Sequence, residues 1–161
     1  MDFKFKQVKI NLQKMDITAQ IETLKTQRKN LLSQVEHLSY ETLGFIPKGS
    51  NNNILWNLGH ILVVPQYHFY IANGHAPNVE PYYIQNYMSG SKPKATDIGK
   101  EYNAIKEALL PTLDVLQSDY KKGIFEVFKA FGDLDFESTL ELLTKHEAGH
   151  IVKINNLLSL S

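Results

Sequence analysis

Two histidines one helical turn apart, with an acid between them, lie near the end of the chain in the stretch His146-Glu147-Ala148-Gly149-His150. Imidazoles at i and i+4 share one helix face and can offer two nitrogens to a divalent metal ion. The carboxylate between them is then a candidate general base, or a partner that orients a ligand ring. With His146 as zero and about 100° per residue, His150 falls at about 40° and Glu147 at about 100°. Leu143, Leu157 and Ile154 fall at about 60°, 20° and 80° on the same wheel. The histidines therefore stand at the edge of an apolar stripe and Glu147 stands inside it. Buried polar groups need partners, and a metal held by the two rings would answer that demand.

The pattern HExxH is shared with zinc peptidases, which take a third ligand downstream of the second histidine. Eleven residues follow His150, and none is His, Asp or Glu. The metzincin extension would need glycine and histidine where this chain has Lys153 and Asn156. The third ligand must lie upstream, and His60 is the strongest candidate. It sits in the apolar run "NNILWNLGHILVVPQYHFYIANG", far from water. On a uniform helix Asn53, Trp56, Val64 and Tyr67 share its face within about 40°. Trp56 and Tyr67 are therefore candidate walls of a substrate pocket, with Tyr67 able to hydrogen-bond a substrate. His68, about 80° from His60, can line the same pocket. His37 and His75 are expected at the surface with no role. Both ligand segments carry the same word, "GHILV" and "GHIVK", in which glycine allows a close approach at a cost of ~1 kcal/mol in helix propensity.

The elements that must hold these residues are helical. Asp16 can cap a helix running to about Ser39, with Ile17, Ile21, Leu24, Leu31, Val35 and Leu38 on its apolar stripe. "LGFIPKGSNNN" breaks it. A second helix, about 52–73, is apolar nearly all round, with a kink expected at Pro65. Residues 74–96 form a long connection with three prolines, in which Tyr82, Tyr83 and Tyr87 could form a lid. A third helix, about 97–119, carries Pro111 as a second kink. Ser138 and Glu141 read as a capping box opening the fourth. Four amphipathic helices predict an all-α four-helix bundle, and the long second connection lets helices two and three run parallel.

Composition narrows the rest. The 161 residues read as one domain, 1–161, with residues 1–15 as an N-terminal extension laid over the core or over a partner. Lys+Arg and Asp+Glu both number 17, so nothing resembles the basic footprint of a nucleic-acid binder. No apolar run suits a membrane span, and no secretory signal opens the chain. The absence of cysteine removes disulfides, thiolate ligands and a catalytic thiol, and it fits a cytoplasmic setting. The all-round apolar second helix also fits a homodimer interface.

"NNILWNLGHIL" paired with "HEAGHIVKINNLL" resembles the DinB-like superfamily over about residues 16–160. The resemblance implies a bundle in up-down-down-up order. It also implies a divalent metal held by one histidine of helix two and an HxxxH pair of helix four, here His60, His146 and His150. Zinc or nickel come first as the ion, then iron or manganese. Two enzyme types are implied: metal-dependent hydrolases, with Glu147 as the candidate base, and transferases that activate a low-molecular-weight thiol. A non-enzymatic bundle that binds a small molecule or a second subunit is the competing class. One departure stands out: the family often has Gly-Gln after the second histidine, where this chain continues to Lys153. That lysine is expected to reach solvent.

Overall fold

In the computed structural model, which describes residues 16–160, apolar steps of three and four build α1 (Thr18–Val35), burying Ile21, Leu24, Leu31 and Val35. The cap position is Ile17 rather than the expected Asp16, which lies one residue earlier and accepts the Thr18 amide on its carboxylate at 2.9 Å. The expected extension over residues 1–15 lies outside the described residues. Helix α1 ends at Val35, and a separate short α2 (Tyr40–Gly44) follows, capped by Ser39. Then come α3 (Ile54–Pro65), α4 (Pro81–Tyr87), α5 (Ile98–Leu109), α6 (Pro111–Lys122) and α7 (Phe136–Leu158). The protein is all-α: among the described residues the only β-type pairing is one isolated bridge, Ala130 to Leu134.

The two internal prolines act as expected, more strongly than a kink. Asn53 caps α3 by accepting the Trp56 amide at 2.7 Å. The α-helix ends at Pro65 and the chain continues as a π turn, Gln66–Tyr70, and a 3-10 turn, Ile71–Asn73. Pro65 has no amide to give the Ile61 carbonyl, so the α ladder cannot run through it. Pro111 splits the expected third helix into α5 and α6, taking the first position of α6, where no amide is missed. The long connection is not structureless either, since α4 forms within it.

The last helix starts earlier than the Ser138–Glu141 box implies. Asp135 is the cap, accepting the Ser138 amide at 2.8 Å. A charged acceptor suits the helix dipole better than a hydroxyl, and the earlier start buries Phe136. Phe136 packs among Phe69, Tyr120, Phe125 and Phe128, with its ring 4.5 Å from those of Phe69 and Tyr120. This aromatic cluster closes the core at one end. Leu55, Leu58, Ile61, Leu62, Ile105, Leu109 and Ile154 form it at the other.

The apolar stripe of α1 has a gap between Leu24 and Leu31, and the chain's one arginine fills it. Arg28 is 1 % exposed. Its Nε donates to Glu147 Oε2 at 3.0 Å, and Nη2 donates to Glu147 Oε1. Nη2 also donates to the Ile61 carbonyl at 3.2 Å, and Nη1 donates to the Leu109 carbonyl. One guanidinium thus joins α1, α3, α5 and α7, and it satisfies the carbonyl that Pro65 leaves without an amide.

Removing one partner of such a pair strands a buried charge, so Glu147→Ala should lose about 3–5 kcal/mol. Arg28→Met with Glu147→Leu should lose less than the sum of the two single changes. Urea unfolding of the four-protein cycle checks this; additive losses would show that the pair is not coupled.

Candidate metal centre

His60 comes from α3, and His146 and His150 come from α7. The ring centroid of His60 lies 5.2 Å from that of His146 and 4.6 Å from that of His150, and the α7 pair is 4.6 Å apart. One ligand nitrogen from each ring falls within 4.8 Å of the others, so the group could hold a divalent metal ion. Contacts run in opposite order along the two helices: Asn57 meets His150, and Val64 shares a cavity with Leu143 and His146. Helices α3 and α7 are therefore antiparallel, which lets one histidine face two.

Two of the rings are oriented by acceptors that leave one nitrogen free. His60 Nδ1 lies 2.7 Å from the carbonyl oxygen of Tyr87, which can only accept. The proton must be on Nδ1, and Nε2 keeps its lone pair. That carbonyl is available because it ends α4, where the helix no longer supplies an amide. Tyr87 is held in turn by its hydroxyl, which donates to the buried Glu101 carboxylate, and by its ring against Gly59. A Cβ at Gly59 would stand 2.2 Å from that ring, so the glycine is required by the close approach. Gly149 differs: nothing lies within 4 Å of its Cβ position, and the parallel reading of the two glycines fails there.

His150 Nδ1 lies 2.8 Å from Asn57 Oδ1. The amide cannot be turned round, because its Nδ2 donates to the Asn53 carbonyl at 2.8 Å. His150 therefore donates from Nδ1 and also keeps Nε2 free. Asn53 is anchored by donating from Nδ2 to the Gly44 carbonyl at 3.0 Å. The chain of hydrogen bonds runs from α2 through α3 to the α7 histidine. His146 supplies the third sign: its Nδ1 is buried and has no hydrogen-bond partner among the described residues. An orphaned imidazole nitrogen beside two oriented rings fits a metal ligand set.

Burial lowers the pKa of His60 to about 4 and of His150 to about 3, with mutual repulsion and Lys153 adding to it. Burial also lowers His146, and the Lys153 charge adds to that. All three are neutral near pH 7, the form a metal takes. The charges acting on the three rings are one another's and that of Lys153.

Glu147 is not brought into this site. Both its oxygens accept from Arg28 in the core, so the carboxylate is engaged away from the three rings. The expectation of Glu147 as general base does not fit that placement. His68 does line a cavity with His146, stacking on Phe131 at 3.9 Å. Tyr67 does not line it. The bend at Pro65 and the wider π turn reset the angular register counted from His60, and Tyr67 lies 39 % exposed with its ring edge-on to His68. Trp56 lies flat on His60, 4.7 Å between centroids, and donates from Nε1 to Ser91 Oγ. It supports the His60 ring from behind. Asn57 and Arg28 were not among the residues singled out by spacing, and Asn53 was placed on the His60 face without a role. Asn57 had a visible signal as the only polar residue besides His60 within α3.

The described residues form an all-helical protein in which two antiparallel helices bring together three histidines that could hold a divalent metal ion. The sequence profile of the DinB superfamily matches residues 23–152, which includes all three histidines, and the chain belongs to that superfamily. No curated protein and no solved structure matches it. No helix among the described residues is long and apolar enough to cross a membrane.

Purified without a histidine tag and loaded with zinc or nickel, the protein should bind about one ion per chain, on the ligand-set argument. His60→Ala should abolish that binding and His68→Ala should retain it, by elemental analysis; the reverse would make His68 the third ligand.

The metal-free protein has a signed pH dependence. Because His60 and His150 titrate below 6.5 when folded, the unfolded chain takes up protons first as pH falls. Stability is full above about pH 6.5 and should decline by about 1.4 kcal/mol per pH unit per histidine down to pH 4. Thermal melts at pH 7.5 and 5.0 test this, and an unchanged melting temperature would contradict it.

Proposed function

We propose that this chain is a divalent-metal-dependent S-transferase that joins a low-molecular-weight thiol to a small electrophilic substrate. The arrangement we infer for its helices is the DinB-like bundle in up-down-down-up order, with α1, α3, α5–α6 and α7 as the four rods. His60, His146 and His150 would hold the ion, zinc or nickel by ligand type, with positions left open. A divalent ion bound there lowers the pKa of a thiol or water beside it.

The observation that favours a transferase over a hydrolase is the placement of Glu147. Activation of water for attack is helped by a nearby carboxylate base, and here that carboxylate is engaged by Arg28. A thiol is acidic enough to ionise at a metal without one. The protein's own contribution is then binding and orientation. Tyr87 and Asn57 aim the ligand rings, and burial keeps those rings unprotonated. A cavity of about 250 Å³ opens at His146, and its apolar walls, Val64, Met88, Leu142 and Leu143, suit the electrophile. His68 lies on the wall of that cavity, where burial lowers its pKa and keeps it neutral.

The test is a screen of metal-loaded protein for thiol conjugation against ester and amide hydrolysis. Metal-dependent conjugation, lost with His150→Ala and on chelation, is the expected result. Metal-dependent hydrolysis with no conjugation would replace the reading with a hydrolase. Metal binding with neither activity would favour a non-enzymatic binding bundle.

A further inference from the structure

The groove between α3 and α7 holds a cavity on each side of the three histidines, and the two differ in chemistry. Toward Val64 and His68 the walls are mainly apolar. Toward the start of α3 and the end of α7 lies a second cavity of about 330 Å³, lined by Ser50, Asn51, Asn52, Asn57, Asn156 and Lys153 over Leu157 and Leu160. Asn57 forms the boundary with the metal centre, since its Oδ1 holds His150. Both polar ends of Asn57 are engaged, so its role is to separate and connect. The side chains of Asn51, Asn52 and Asn156 make no hydrogen bond within the described residues and are free to donate.

Lys153 is the distinctive member. It stands one turn beyond His150 and two beyond His146, about 4.5 and 10 Å along the axis of α7. Its charge acts on all three rings. Lys153 pairs with no carboxylate among the described residues, as is true of most of the lysines there, so what sets it apart is its place beside the three rings. Lys153 is exposed, as expected, and it lines a cavity near the cluster of neutral rings. The superfamily match ends one residue before it. A divalent ion at the histidines would add to the positive potential there.

We propose that this second cavity takes the carboxylate of the small-molecule thiol, with Lys153 as its counter-charge and the free asparagine amides as donors. The thiol then lies along the groove with sulfur at the three histidines and its acidic end one or two helical turns away. Lys153 is a specificity-determining residue in this scheme. It selects the thiol and takes no part in the bond that forms. The inference rests on the metal-centre reading above.

Cobalt-loaded protein gives a readout that needs no turnover, because thiolate ligation produces a sulfur-to-cobalt charge-transfer band. Titrations with 4-mercaptobutyrate and 4-mercaptobutanol compare an acid with a neutral thiol of similar length. The acid should bind at least about tenfold more tightly, a difference of about 1.4 kcal/mol. Lys153→Gln should remove that preference while leaving the affinity for 4-mercaptobutanol unchanged, and Lys153→Arg should keep it. Equal affinities in the unaltered protein, or a preference that survives Lys153→Gln, would overturn the proposal. If neither thiol ligates the metal, thiol chemistry and the thiol proposal fail together. A succinate titration followed by fluorescence of Trp56, the only tryptophan, then separates them from the anion site. A Lys153-dependent response keeps a carboxylate site without the thiol, and no response removes both.

Discussion

Arg28 sets the terms for the rest of the molecule. A guanidinium has five donors and no means of neutralising itself, so a buried one must find acceptors in every direction. Here it finds a carboxylate on α7 and two backbone carbonyls, at Ile61 in α3 and Leu109 at the end of α5. Two of the three elements it meets are interrupted by proline near the contact. The Ile61 carbonyl is free because Pro65 carries no amide, and the Leu109 carbonyl ends a helix that Pro111 does not continue. The prolines and the arginine are thus complementary, each making the other tolerable in an apolar interior.

The same pair orders the metal centre without joining it. Glu147 lies between His146 and His150, so holding its carboxylate in the core fixes the rotation of α7 about its axis. That rotation presents both rings to His60. The remaining freedom of the His60 and His150 rings is removed by acceptors at the end of α4 and in α3. Each acceptor is itself restrained, Tyr87 by Glu101 and Gly59, Asn57 by Asn53. The three histidines arrive neutral and close together, two of them oriented, a preorganisation that favours metal binding at neutral pH.

The two cavities give the groove a polarity. An apolar chamber beside His68 and a polar one beside Lys153 offer different chemistry at the two ends of one site, as a reaction between a water-soluble thiol and a less polar partner would require. The placement of Glu147 and Lys153 bears more on the choice of reaction than the histidines do, because three imidazoles serve many metal chemistries.

Much was determined locally. The helical nature of the chain, the stripes of α1 and α7, the disruption at Pro65 and Pro111, and the grouping of His60 with His146 and His150 were legible, because helix periodicity and i, i+4 spacing act over one or two turns. The all-α fold and the superfamily followed from those same segments. The sequence also placed Glu147 inside the apolar stripe correctly. What it could not say was which charge would meet it there, since Arg28 is more than a hundred residues away and no local rule pairs them. The start of α7 at Asp135 and the outward turn of Tyr67 were decided by burial of Phe136 and by the π turn. The acceptors that orient the rings come from residues distant in the chain or hidden as backbone carbonyls. Spacing within a helix pairs His146 with His150; only packing between helices brings His60 to them and decides which polar groups surround the three, because desolvation drives buried polar groups to find partners across the fold.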